Sequence, residues 1–152
     1  MVNKILEQSV APLKPDVVVF AFSLGNEGLP ITQNEAAAQR SCDSFMEGIR
    51  ELVNLTVAMG ALPVVCECYC HGMLDAMQYT ALKETNHRLE ALWVPILPML
   101  AAVDDGKGHW KEGFECDAAH PNAEGHHAMF RGLLISLATV FAPEQIDAKR
   151  RA

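Results

Sequence analysis

Six successive apolar residues, Val17-Val18-Val19-Phe20-Ala21-Phe22, follow directly on Pro15-Asp16. A strand with one solvated face alternates polar and apolar side chains. A run that is apolar at every position and rich in β-branched residues reads instead as a strand covered on both faces, which is the signature of a parallel sheet between helices. The loop Ser23–Pro30 then lies at the carboxyl end of that strand, where open α/β sheets place their ligands.

The rest of the chain alternates in keeping with this. Residues 3–13 form the tail of a helix, with Ile5, Leu6 and Val10 on one side and Pro12 and Pro15 ending it. Thr32-Gln33-Asn34-Glu35 has the pattern of a capping box opening a long helix that closes at Gly60. Leu62–Tyr69 is a second strand, and Asp75-Ala76-Met77-Gln78 caps a helix ending near Leu92. Val94–Leu97 is a short strand whose Pro95 suits a sheet edge. Residues 103–119 carry loop signals only, and Asn122 caps a last helix that Pro143 stops. Strands alternating with helices imply right-handed crossovers and a parallel sheet, here a three-layer α/β/α sandwich of flavodoxin-like type in a single domain over residues 1–152.

Composition narrows the function. Nineteen acidic against 12 basic residues give a net charge of −7, which argues against a nucleic-acid partner or an anionic membrane surface. The dense basic run Lys149-Arg150-Arg151 reads as a solvated tail. No apolar run approaches the roughly 18–20 residues of a membrane span. Glu7 interrupts the N-terminal apolar stretch, against a signal peptide. Five cysteines, with Cys66, Cys68 and Cys70 alternating along one strand, do not suit paired secretory disulfides, so a cytoplasmic or other reducing compartment is expected. A row of thiols on one strand face offers no tetrahedral cage, and neither a metal nor a cofactor is expected.

The chemistry concentrates near the C-terminus, in Asp117-Ala118-Ala119-His120-Pro121 followed by Gly125-His126. An acid three residues before a histidine, set in a turn against a helix, is a supported acid–base pair. Together with Ser23-Leu24-Gly25-Asn26-Glu27-Gly28 after the first strand, this resembles the SGNH (GDSL-type) hydrolases, over roughly residues 10–140. Leu24 and Glu27 stand where that family usually has Gly and Asp in its Gly-x-Asn-Asp block, while Asn26 matches.

The resemblance implies an ester or acyl hydrolase in which His120 is the general base, Asp117 orients it and Asn26 lines the oxyanion hole. The block that carries the family's nucleophilic serine has no counterpart here, so the resemblance implies a truncated domain. Ser9, Ser41 and Ser44 fall on helices, and Ser23, at a strand end, is the one in-chain substitute. The family's sheet order, 2-1-3-4-5, implies that Val17–Phe22 becomes an edge needing cover from a homo-oligomer partner, another chain or a region outside these residues. The implied substrate is an ester-linked small molecule or carbohydrate. The alternative is a catalytically inactive module that docks through that open edge. A plain structural reading also stands beside each motif: Asp117 and Asn26 as turn formers, His120 as a helix-flanking residue.

Overall fold

The computed structural model describes residues 2–140. Three strands, β1 (Val17–Phe20), β2 (Leu62–Cys66) and β3 (Ile96–Leu97), form one parallel sheet in the order β1-β2-β3. Val17 to Phe20 pair with Leu62 to Val65, and Val65 and Cys66 pair with Ile96 and Leu97. Helices cover the two faces. On one, Val18, Phe20 and Val65 meet α2 (Glu35–Ala58) and α3 (Ala76–Glu90) through Phe45, Met46, Ile49, Leu82 and Leu89. On the other, Val17, Leu62, Val64, Cys66 and Leu97 meet Val103 of the short α4 (Leu100–Val103) and Met129 and Leu133 of α5 (Ala123–Val140). The expected three layers are present.

The N-terminal segment begins as α1 (Val2–Ile5), widens to a π-turn over Leu6–Val10 and tightens to a 3-10 turn over Ala11–Leu13, placing Leu6 and Val10 against the α2 side of the core. Helix α3 starts with the expected reciprocal cap, in which Asp75 Oδ1 accepts from the Gln78 amide N–H and Gln78 Oε1 accepts from that of Asp75. Helix α2 departs from expectation. Its cap is Asn34, whose Oδ1 accepts from Ala37 N–H at 3.0 Å. Thr32 instead donates its hydroxyl to Leu29 O at 2.8 Å, closing the preceding short turn. Gly60, at φ 82°, ends the helix as predicted, in a conformation that a side chain would strain. Pro143 and Lys149-Arg150-Arg151 lie outside the described residues.

Strand β1 is an edge. Among the described residues its hydrogen-bonded neighbour is β2 alone, and Val19 is 47% exposed. The reading of this run as covered on both faces is therefore corrected: α5, on the face of Val17 and Val19, packs toward β3. The strand also stops at Phe20, with Phe22 continuing only as a ring stacked on Phe20 at 6.1 Å. Pro63 sits inside β2 without breaking it. Successive residues of an inner parallel strand bond to opposite neighbours. Leu62 N–H bonds toward β1, to Asp16 O, while Val65 N–H bonds toward β3, to Pro95 O. The missing N–H of Pro63 thus faces the β3 side before β3 begins, and no ladder bond is lost.

Candidate active site

The loop after β1 is a compact knot. Leu24 and Leu29, 1% and 0% exposed, anchor it in the core. Successive backbone bonds from Asn26 N–H to Ser23 O, Glu27 to Leu24 and Gly28 to Gly25 coil it into a single turn. The two departures from the SGNH pattern acquire a physical role here. Leu24 is the buried pin, and Glu27 reaches α2, where its Oε2 accepts from the Ser44 hydroxyl at 3.3 Å. Ser23 Oγ accepts from Gly25 N–H at 2.9 Å. Asn26 is exposed at the tip, and among the described residues no protein group bonds its side chain.

The chain beyond β2 runs alongside. Its row of cysteines does not persist: Cys66 and Cys70 join the α5 side of the core, whereas Cys68 joins the α2 side. The cause lies in Cys68, whose backbone leaves the ladder. Its N–H and C=O pair with the buried side chain of Asn86 on α3, at 2.8 and 2.9 Å. Burial pushes all three thiols up, Cys66 to about 11 and Cys70 to about 12, so they stay protonated packing groups. Tyr69 lies against the Trp110 ring at 5.6 Å. Burial raises its phenol, and the neighbouring Ser23 hydroxyl opposes that rise.

The Asp117–His120 turn is clamped on every side. Glu115 and Pro121 bridge its base, and Cys116 N–H donates to His120 O at 2.9 Å. Asn122 caps α5 as predicted, accepting from Gly125 N–H at 3.0 Å, and its amide donates back to Gly113 O and Glu115 O. Ala118 O accepts from Gly72 N–H at 2.7 Å and from Trp110 Nε1–H at 3.0 Å, which ties the turn to the loop after β2.

Within the turn, Asp117 Oδ1 accepts from the backbone N–H of Ala119 and His120 at 2.7 and 2.9 Å. His120 Nδ1 lies 2.9 Å from Oδ1 and 3.0 Å from Oδ2. The His120 bond, helped by those amides, holds the Asp117 carboxyl below its usual value. With Nδ1–H given to the carboxylate, the neutral ring presents its Nε2 lone pair outward, and no described group occupies it. That is the disposition a general base requires.

Ser23, Asn26, Asp117 and His120 therefore all lie at the carboxyl end of the sheet. No hydrogen bond joins Ser23 to His120 among the described residues. Ser41 and Ser44 lie on α2, as expected. Sequence reasoning passed over His71, which stands between the two loops. Its Cδ2 is 3.6 Å from where a Cβ on Gly25 would lie, and both Asp117 and His120 act on it electrostatically. Its position just past the end of β2, matching that of Ser23 past β1, was the available signal.

No family model matches this sequence, and no curated protein does. Solved structures do. A proposed acylhydrolase from Bacteroides fragilis superposes with a TM-score of 0.64 at 18% identity, covering 98% of this chain and 69% of that one. A GDSL-like lipase from Bacteroides thetaiotaomicron gives 0.65 at 18% identity, covering 90% and 67%. The chain has the fold of a GDSL-type hydrolase. It spans about two thirds of the length of these two structures. The three strands neighbour one another in chain order, β1-β2-β3, in one parallel sheet.

Proposed function

We propose that this chain is an SGNH-type ester hydrolase domain contributing the acid–base pair and one oxyanion donor. A single observation carries the reading: His120 is held through Nδ1 by a carboxylate that two backbone amides also fix, with Nε2 open at the sheet end that bears Asn26. In the reaction, His120 Nε2 accepts the proton of an attacking hydroxyl as its oxygen adds to the acyl carbon. The Asn26 amide donates to the resulting oxyanion. Collapse then expels the alcohol, which leaves with the proton from His120, and water repeats the sequence to free the acid. Removing one oxyanion donor costs about 3–4 kcal/mol in serine hydrolases. The attacking serine is either Ser23 or a residue supplied from beyond these 152.

Hydrolysis of p-nitrophenyl acetate tests this. The wild-type chain is expected to exceed the buffer rate, His120→Ala to fall to it, and His127→Ala, an exposed residue on α5, to match wild type. Ser23→Ala then reports whether Ser23 is the nucleophile. Equal rates for wild type and His120→Ala would remove the hydrolase reading for the chain alone.

The exposed edge at Val19 favours a second reading, a structural module that docks through β1. An unpaired apolar strand is a template for another strand. Sedimentation is expected to show an associated species that Val19→Lys dissociates. A wild-type chain that stays monomeric at high concentration rules out self-docking.

A further inference from the structure

An oxyanion hole needs convergent donors, and Asn26 alone is a thin one. The structure assigns a second donor: we infer that His71, as a neutral imidazole, donates Nε2–H to the oxyanion beside the Asn26 amide. The inference rests on the hydrolase reading above.

Three observations support it. The tautomer is fixed, because Met73 N–H donates to His71 Nδ1 at 3.2 Å. A backbone N–H can only donate, so Nδ1 must stay unprotonated and the ring's one hydrogen sits on Nε2. The ring is also aimed. Its Cδ2, the carbon bonded to Nε2, lies toward Gly25, the residue before Asn26, 3.6 Å from where a Cβ on that glycine would stand. Finally, its backbone is held on both flanks. His71 N–H donates to Gly108 O at 3.1 Å, and Gly72 N–H donates to Ala118 O at 2.7 Å within the Asp117–His120 turn.

The surroundings keep the ring neutral. Partial burial lowers the His71 pKa, Asp117 opposes that lowering and His120 adds to it. A neutral donor suits a site where negative charge appears only in the transition state, since it does not hold an anionic product as an imidazolium would. His71 and His120 thereby take opposite parts with opposite tautomers. His120 offers a lone pair at Nε2, and His71 offers a hydrogen there.

Ring ¹⁵N–¹H spectra of the 152-residue chain, titrated with methylphosphonate as a tetrahedral anion, test the assignment without needing turnover. The expected result is an Nε2–H tautomer for His71, with its ring signal and the Asn26 amide shifting together. His71→Phe is expected to weaken binding about tenfold, the worth of one hydrogen bond to a charged group, and His71→Gln to recover most of it. Shifts at Asn26 and His120 without His71, or an Nδ1–H tautomer, overturn the role of His71 while leaving the hydrolase reading intact. No shift at any of the three overturns both.

Discussion

Asn86→Leu is expected to destabilise the chain by on the order of 3 kcal/mol, because it strands two buried backbone groups at once. Asn86 is 5% exposed, and its amide takes the place of a neighbouring strand for Cys68, accepting from its N–H and donating to its C=O. Leucine shares asparagine's branched skeleton and is the better helix former, so helix propensity does not predict a loss. The desolvation penalty does, and it exceeds what leucine gains by burial. Urea unfolding measures it as a fall in midpoint at constant slope. A loss under about 0.5 kcal/mol, within the range of neutral surface changes, would show that the clasp is dispensable. Cys68 leads directly into Tyr69 and His71, so the same variant is expected to loosen the site.

The second large effect sets two glycines against each other. Gly48 and Gly125 both lie within helices. Helix propensity alone gives each Gly→Ala change a gain of about 1 kcal/mol. At Gly48 a Cβ meets nothing within 4 Å, and that gain is expected in full. At Gly125 it would lie 2.5 Å from Phe114 O and 2.9 Å from Pro121 Cβ. Phe114 O cannot yield cheaply, since it accepts from Asn122 N–H at 2.9 Å. Overpacking costs of roughly 1–3 kcal/mol then outweigh propensity, and Gly125→Ala is expected to lower the melting temperature where Gly48→Ala raises it. The displaced carbonyl adjoins the Glu115–Pro121 bridge that shapes the Asp117–His120 turn. Like-signed shifts for the two variants would refute the steric account.

Local chemistry was legible wherever the partners of a residue lie within a few positions of it. Asp75 with Gln78, Asn122 with Gly125 and Asp117 with His120 all meet as their spacing implies. Thr32 has Glu35 three residues on, but Asn34 is as good a cap residue, and only the turn at Leu29, which takes the Thr32 hydroxyl, decides between them. Long-range partners were invisible. Nothing in Val17–Phe22 says how many neighbours the strand has, nor that Asn86 would interrupt the alternation of cysteines 18 residues upstream. His71 became visible as a candidate only through its place between the Gly25 loop and the Asp117–His120 turn.

Pro63 has a consequence for assembly. Its absent donor leaves the lower flank of β2 unable to receive a strand, and on the outer side of β3 Pro98 removes the next donor after Ile96. The far side of the sheet is therefore blunt, while β1, among the described residues, has β2 as its one hydrogen-bonded neighbour. A sheet with one adhesive border cannot polymerise by strand addition. Were two copies to join border to border across a two-fold axis, both borders would be used up, and such pairing would terminate at a dimer instead of running on into a fibre.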